Sequence, residues 1–241
     1  MTRLIQQIAK KIATALGLDF DTAEQEAWWI LEKITGLSKA RLLFLNTQTL
    51  THDQELTLEK IIKQRTDEKM PLQYILGSVP FCNLDILVHP PILIPRPETE
   101  EWVHWLINLF APMHHVPLKI LDLCTGTGCI ALALAQAFAQ SSIIGIDINP
   151  DAITRANKNK THNAITNVTF LISDLYASLT PSQTFHLIVS NPSIFQRKNM
   201  QRLMPALQPG KTGKHSLQIT MAWQYTNKLF KMHIHILNHT P

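Results

Sequence analysis

The hydrophobic pattern of the first 70 residues is helical. Apolar residues recur three and four positions apart, the spacing that gives a helix one apolar face. The stretch "TAEQEAWWILEKITGL" offers Thr22 as an N-cap, acidic residues in its first turn and Gly36 at its end. The stretch "THDQELTLEKIIKQRTDEK" begins at Thr51 or Asp53 and continues amphipathically. These patterns predict a helical bundle over residues 1–70.

The pattern changes over residues 71–97. Prolines alternate there with β-branched residues in "PLQYILGSVPFCNLDILVHPPILIPRP", which is typical of short strands and turns. This segment predicts a hairpin-like connector. The residues that follow, from Glu98 to Phe110, return to helical spacing and predict one amphipathic helix.

From residue 118 onward, apolar runs alternate with helical patterns. The runs are "LKILDL", "SIIGID", "NVTFLISD" and "FHLIVS". Strands that alternate with helices predict a parallel, doubly wound sheet. Ligands of such sheets bind beyond the carboxyl ends of the strands, so the residues that follow each run are the first candidates for a site.

The predicted strand ends carry groups that suit a nucleoside cofactor. Gly126 and Gly128 follow the first strand and allow a ligand to approach the backbone closely. Asp147 ends the second strand, where a carboxylate can accept both ribose hydroxyls, and Asp174 ends the third, where it can meet an adenine amino group. One such Asp is more often a turn or cap residue. Their order on successive strands favours a cofactor site.

The glycine loop separates two candidate cofactors. NAD-binding loops have the pattern Gly-x-Gly-x-x-Gly, whereas this loop reads "DLCTGTG" from Asp122 to Gly128. An acidic residue followed by two glycines suits S-adenosylmethionine, whose amino-acid part is zwitterionic and carries no pyrophosphate. The loop therefore favours S-adenosylmethionine over NAD.

Composition narrows the class of protein. Apolar residues make up 45% of the chain, enough for a hydrophobic core, and no apolar run reaches the roughly 18 residues of a membrane span. The N-terminus lacks the apolar stretch of a signal peptide. The three cysteines give neither a metal-ligand pattern nor a disulfide framework. We expect a cytoplasmic protein with no metal site.

Charge is distributed unevenly along the chain. Residues 1–192 hold all 18 acidic residues and 15 of the 22 basic ones, a net charge of −3, whereas residues 193–241 hold the remaining seven basic residues and no acidic one. A basic segment of this kind ordinarily indicates a nucleic-acid-binding tail.

Several motifs together carry a resemblance to a known family. They are "PLQYILG…F…ILIPRPETE", "LDLCTGTGCIALALA", "GIDINPDAITRANKN", "SDLY" and "IVSNP". In this order and spacing, residues 1–192 resemble the protein-(glutamine-N5) methyltransferases of peptide-chain release factors, the HemK or PrmC family. The resemblance implies a Rossmann-like class I S-adenosylmethionine-dependent methyltransferase domain.

The resemblance also implies roles for individual residues. The cofactor would be held by residues of the strand ends: Thr125, Gly126, Thr127, Gly128, Asp147, Asp174 and Asn191. In the family, the Asn side-chain oxygen and the first proline carbonyl of an Asn-Pro-Pro-Tyr motif accept hydrogen bonds from the substrate amide. Asn191 and Pro192 would be these catalytic residues, and Arg96 would contact the substrate. The substrate would be the glutamine of the GGQ motif of release factors, modified by a monomer that binds neither nucleic acid nor membrane.

The chain departs from the family at two places. Cys124 stands where the family usually has the first glycine of its loop, and a small residue should still fit there. At the catalytic motif, Ser193 and Ile194 replace the second proline and the tyrosine that packs against the substrate amide.

A shifted reading frame explains the second departure. If "MAWQYT" at 221–226 is read from the third base of each codon, it gives G-[LMV]-A-[IV]-[YH], similar to the family's D-G-L-A-I-Y. In the same frame, "QPGKTGKH" is compatible with the family's W-E-[PD]-x-x-A-L, and "SIFQ" permits Y-[IFL]-[SP]. We therefore interpret residues from about Ser193 onward as out of frame, with a genuine basic tail as the alternative.

These interpretations divide the chain into a helical substrate-recognition domain (1–70), a hairpin connector (71–97), a methyltransferase domain (98–192) and an aberrant tail (193–241). We expect the sheet to be incomplete after its fourth strand and the tail to be disordered. Two alternatives to an active release-factor methyltransferase remain. One is a catalytically dead, truncated homologue. The other is an adenine-N6 DNA methyltransferase, which shares Asn-Pro-Pro-Tyr but has a target-recognition domain that is missing from this pattern.

Overall fold

The computed structural model describes residues 2–44, 49–180, 182–191, 218–226 and 229–237. The chain divides into two compact units, Met1–Ser78 and Val79–Pro241. None of the helices in the described ranges has the length and apolarity needed to cross a membrane.

The first unit is helical, which confirms the predicted bundle. Its helices are α1 (Thr2–Leu16), α2 (Phe20–Thr35), α3 (Lys39–Phe44), α4 (His52–Thr66) and α5 (Leu72–Leu76). Thr22 is not the N-cap of α2: Asp19 is, because its carboxylate accepts from both the backbone N–H and the hydroxyl of Thr22. Gly36 ends α2 with a left-handed φ of 67°. Thr51 caps α4 in a capping box with Gln54.

One apolar core holds these helices together, and one ion pair lies beside it. The fully buried residues include Ile12 of α1 and Leu31 of α2. Arg65 of α4 binds Glu26 of α2 through two hydrogen bonds of 2.8 and 2.7 Å, and both side chains are mostly buried. Arg65 also donates to the backbone carbonyl of Met70. The pair therefore fixes α2 to α4 and to the chain after α4.

The connector contains the predicted hairpin. Strands β1 (Ser78–Phe81) and β2 (Leu84–Leu87) form a two-stranded sheet. Cys82 and Asn83 between them have positive φ angles of 48° and 63°, as the two central residues of a type I′ turn require. The structure differs from the prediction at the start of the connector, where α5 precedes β1. Its leucine and isoleucine residues follow helical rather than alternating spacing.

The second unit contains a six-stranded sheet flanked by helices. Its elements are α6 (Pro97–Leu109), a 3-10 turn (Ala111–Met113), β3 (Lys119–Leu123), α7 (Cys129–Ala137), β4 (Ser142–Asp147), α8 (Pro150–His162), β5 (Val168–Ile172), β6 (Leu187–Ser190), β7 (Gln218–Thr226) and β8 (Leu229–Leu237). The strand order is β5-β4-β3-β6-β7-β8. All neighbours are parallel except β7 and β8.

This order confirms the predicted α/β class and locates the ligand edge. The chain proceeds outward from β3 to β4 and β5, then returns to place β6 on the other side of β3. The carboxyl ends of β3 and β6 therefore border the point where the strand order reverses, which is where open α/β sheets bind ligands. Both strands are buried along most of their length, so the residues that follow them are held by a rigid core.

Two further strands follow the fourth strand of the sheet, β6, and the sequence analysis did not predict them. β7 pairs in parallel with β6, and β8 pairs antiparallel with β7 over their full nine residues. The segment 191–217 exceeds the roughly one dozen residues that a parallel crossover needs, and only residues 227–228 separate the two strands, as in a tight hairpin. The expected disorder of the rest of the tail, at 193–217, 227–228 and 238–241, lies outside the described residues.

Candidate cofactor and active site

The loop between β3 and α7 adopts a backbone that its sequence only partly suggests. Cys124, Gly126 and Gly128 all have left-handed φ angles, of 60°, 56° and 81°. This conformation disfavours residues with a Cβ, so Cys124 fits the position only with backbone strain. Burial and the negative charge of Asp147 also raise the pKa of the Cys124 thiol to about 11. The thiol is therefore neutral at physiological pH.

The two glycines of this loop face different surroundings. A Cβ on Gly128 would lie 2.8 Å from Cζ of Phe170 and 3.0 Å from Cβ of Ala156. A Cβ on Gly126 would meet no described atom within 4 Å. Gly128 is therefore required for packing of the loop against β5 and α8. Gly126 borders open space, as a ligand-facing position must.

The predicted loop residues Thr125 and Thr127 are buried and anchor the loop. The backbone N–H of Thr125 donates to the carbonyl of Ile146 over 2.9 Å, and its hydroxyl donates to Oδ2 of Asp122 over 2.6 Å. The carbonyl of Thr127 accepts from Nδ2 of Asn159 in α8 over 2.9 Å. The Thr125 hydroxyl and the backbone groups of both residues therefore hold the loop in place.

Asp147 lies directly beside the loop, as predicted from its place at the end of β4. Its Oδ2 accepts from the backbone N–H of Gly126 over 2.9 Å, and its Oδ1 accepts from the N–H of Asn149 over 3.0 Å. Each carboxylate oxygen has a second lone pair. Asp147 can therefore bind two hydroxyl groups while it holds the loop.

Asp122 is the acidic residue that begins the loop motif, and it is fully buried. Its Oδ2 accepts from the Thr125 hydroxyl and from the N–H of Ala131. Its Oδ1 has no hydrogen-bond partner among the described residues. Burial, reinforced by the charge of Asp147, raises the pKa of Asp122 to about 7. A cationic ligand nearby would stabilise the charged form.

Asp174 lies two residues beyond the end of β5 and is exposed. The preceding Ser173 is buried and continues from β5 toward Asp147, whose carbonyl accepts from its N–H over 2.9 Å. The structure therefore places Asp174 on the same sheet edge as Asp147, in a position open to solvent.

Asn191 follows β6 at the centre of this edge. The register pairs Ser190 with Leu123, so Asn191 and Cys124 are the next residues on two neighbouring parallel strands. Nδ2 of Asn191 donates to the hydroxyl of Thr99 over 2.7 Å. Arg96 is exposed at the N-cap of α6. The other catalytic candidate, Pro192, lies outside the described residues.

Asn159 is a site residue that the sequence analysis missed. It is completely buried, and its side chain pairs with both the N–H and the carbonyl of Leu87 in β2, in addition to Thr127. One turn later, Asn163 makes the same pair of bonds to the backbone of Asp85. Asparagine is a poor residue for a helix interior, so Asn159 within the helical pattern of α8 was a signal of this arrangement.

The structure also groups three potential metal ligands, Cys82, Glu100 and His104, whose ligand atoms lie within 4.8 Å of one another. Oε1 of Glu100 accepts from the N–H of Cys82 over 2.8 Å and lies 3.8 Å from Nε2 of His104. These two contacts account for the grouping, in which Glu100 anchors the hairpin turn to α6.

Comparison with known proteins agrees with this geometry. Residues 4–77 match the family model described as "PrmC N-terminal domain", and residues 114–216 match "Methyltransferase domain". A release factor glutamine methyltransferase of Flavobacterium psychrophilum is 36% identical over 192 residues, which cover 78% of this chain and 67% of that protein. The chain belongs to the release factor glutamine methyltransferase family. The Escherichia coli K12 member is also 36% identical, over 79% of this chain and 65% of its own length.

The match to this family covers only part of each relative. The chain spans about two thirds of the length of the curated relatives it matches. Among solved structures, the ribosomal protein L11 methylase of Lactobacillus delbrueckii subsp. bulgaricus matches 56% of this chain and 65% of that chain, with 24% identity and a TM-score of 0.45.

S-adenosylmethionine is the cofactor of this methyltransferase family, and two features of the site fit it. Open space borders Gly126. Asp122 has a buried oxygen with no hydrogen-bond partner among the described residues, and burial together with the charge of Asp147 raises its pKa. Two carboxyl groups in such an arrangement favour a ligand with cationic groups, and S-adenosylmethionine carries an ammonium and a sulfonium. The fit is thus in charge as well as in space.

Proposed function

We propose that the site transfers a methyl group from S-adenosylmethionine to the side-chain amide nitrogen of the glutamine in the GGQ motif of peptide-chain release factors. The observation that carries this proposal is the position of Asn191. It follows β6 directly beside the glycine loop that follows β3. An amide side chain is therefore held next to the place where the cofactor would bind.

The substrate amide nitrogen is a weak nucleophile because its lone pair is delocalised into the carbonyl. When bound, S-adenosylmethionine supplies an electrophilic methyl group. Oδ1 of Asn191 would accept one N–H of the substrate amide, and the carbonyl of Pro192 would accept the other, the two roles that the family motif implies. These contacts direct the nitrogen lone pair at the methyl carbon. Methyl transfer would form a carbon–nitrogen bond while the carbon–sulfur bond of the sulfonium breaks, with S-adenosylhomocysteine as the leaving group, and the nitrogen would lose one proton to solvent. The residues named here contribute to the rate by positioning and electrostatics.

The cofactor-binding residues that we propose are those at the strand ends. The backbone of the loop residues contacts the cofactor; these residues are Thr125, Gly126, Thr127 and Gly128. Asp147 accepts hydrogen bonds from the ribose hydroxyls, and Asp174 accepts one from the adenine amino group. The exposed Arg96 contacts the release factor. The chain acts as a monomer in the cytoplasm, where release factors work, and without nucleic acid.

We further propose that residues from about Ser193 onward are read out of frame and weaken this activity. Ile194 cannot supply the aromatic wall that the family's tyrosine gives the substrate amide. The loss of positioning is worth about a hundredfold in rate. A truncated homologue that binds the cofactor without transferring methyl groups is the second candidate, favoured by the same departure from the motif.

One experiment tests both proposals. Purified release factor and methyl-labelled S-adenosylmethionine are given to the chain as written, to a version with the frame restored by one added base in codons 188–198, and to Asn191→Ala in each. We expect label transfer by the restored version, about a hundredfold less by the chain as written, and none above background for the Asn191→Ala variants. Transfer by neither version would refute the function, and equal transfer by both would refute the shifted frame.

A further inference from the structure

The proline- and acid-rich segment "PRPETE" at 95–100 leads into α6 and contacts Asn191. Nδ2 of Asn191 donates a hydrogen bond of 2.7 Å to the hydroxyl of Thr99, a residue 92 positions earlier in the chain. Thr99 is only 3% exposed. A buried polar contact therefore joins the first turn of α6 to the predicted catalytic residue.

The acceptor is held rigidly. Thr99 lies in the first turn of α6, where its N–H donates to the carbonyl of Arg96 over 2.9 Å. The next residue, Glu100, accepts from the hairpin turn at Cys82, and the buried Val103 fixes the same helix face in the core. The Thr99 hydroxyl therefore keeps one position relative to the sheet.

The backbone that carries the donor, Asn191, is also held in place, so only its side-chain bonds can rotate. Ser190, the residue before Asn191, donates from its hydroxyl to the carbonyl of Leu123 in β3 over 2.9 Å and is buried. The backbone that carries Asn191 is thus fixed, and the remaining freedom is rotation of its side chain. The Thr99 contact removes that freedom.

We propose that Thr99 is a positioning residue: by holding Nδ2 of Asn191, it leaves Oδ1 of the same amide to accept from the substrate. A primary amide has a donor end and an acceptor end, and the substrate NH2 needs the acceptor. A rotated Asn191 would present N–H groups to N–H groups and would misalign the nucleophile. The inference rests on the proposed function for its catalytic consequence, but the hydrogen bond itself can be observed without any activity.

The first measurement is therefore spectroscopic and uses the full chain. The side-chain amide signal of Asn191 is assigned in a ¹H–¹⁵N spectrum as the one that Asn191→Asp removes. We expect Thr99→Val to shift this signal and to speed the exchange of its protons, and Thr99→Ser to leave both near the wild-type values. Thr161→Val is the control, because it removes an exposed threonine hydroxyl of α8 that donates to the carbonyl of Asn157 one turn earlier. An Asn191 signal that does not respond to Thr99→Val would overturn the proposal.

The second measurement is kinetic and uses whichever version of the chain transfers methyl groups. We expect Thr99→Val to lower kcat by about tenfold to a hundredfold, with the KM for S-adenosylmethionine unchanged. Thr99→Ser and Thr161→Val should stay close to the wild-type kcat. A structural defect would instead raise that KM and lower the melting temperature. Equal kcat values for Thr99→Val and wild type would overturn the positioning role, whereas inactivity of every wild-type version would refute the proposed function and leave the spectra to decide the contact.

Discussion

Replacement of each glycine of the cofactor loop by alanine should have a different effect on stability and on cofactor binding. Both have left-handed φ angles, which cost a residue with a Cβ about 1–2 kcal/mol. In Gly128→Ala the new methyl group also lies 2.8 Å from Phe170 and 3.0 Å from Ala156. The overpacking adds about 1–3 kcal/mol. We therefore expect Gly128→Ala to lower the free energy of unfolding by roughly 2–5 kcal/mol, a large part of the total for a domain of this kind.

Gly126→Ala carries the backbone strain alone, because no described atom lies within 4 Å of the added carbon. We expect it to cost only about 1–2 kcal/mol of stability and to lose affinity for S-adenosylmethionine, since the methyl group enters the space assigned to the cofactor. Urea unfolding followed by circular dichroism measures the first effect, and titration calorimetry measures the second. Equal losses of stability in the two variants would contradict the packing argument. Wild-type cofactor affinity in Gly126→Ala would contradict the assignment of the site.

Three further predictions follow from the charged groups. Asp147→Ala should weaken S-adenosylmethionine binding by about 1–3 kcal/mol in calorimetry, and unchanged affinity would remove Asp147 from the site. Burial raises the pKa of Asp122 from 3.8 to about 7, so the free energy of unfolding should fall by on the order of 4 kcal/mol as pH rises from about 4 to 7. Asp122→Asn should abolish this pH dependence in urea unfolding. A pH dependence that persists in the variant would implicate other groups. Glu26→Ala should destabilise the first unit by about 3–5 kcal/mol, since it leaves Arg65 buried without its carboxylate, and a melting temperature equal to wild type would show that the pair contributes little.

The sequence predicted those parts of the fold that local patterns determine. The apolar runs ending at Leu123 and Asp147 became β3 and β4, and Gly36 ended α2 as expected. The N-cap at Asp19 was missed because Thr22 lies within the same turn and is also a common capping residue. The parallel pairing of β7 with β6 was missed because a parallel neighbour depends on a long connection, which carries no local pattern.

The sequence predicted those site residues that directly follow a strand. It did not predict contacts between segments that are far apart in the chain. Gly126 and Asp147 lie at strand ends, so their proximity follows from parallel topology alone. The contact between Thr99 and Asn191 joins positions 92 residues apart, and that from Asn159 to Leu87 spans 72. Neither has a spacing that a single sequence reveals. The left-handed φ of Cys124 was also hidden, since cysteine gives no indication of that conformation.

The side chain of Asn159 joins three segments that are otherwise separate: β2, the cofactor loop and α8. Its amide completes the hydrogen bonds of Leu87 as a neighbouring strand would, and it also holds the carbonyl of Thr127. Inserting one residue into α8 before this position would rotate Asn159 by about 100° around the helix axis and would break both attachments at once. Length changes should therefore not be tolerated in the first two and a half turns of α8, so the spacing from Pro150 to Asn159 is a constraint on how this domain can vary.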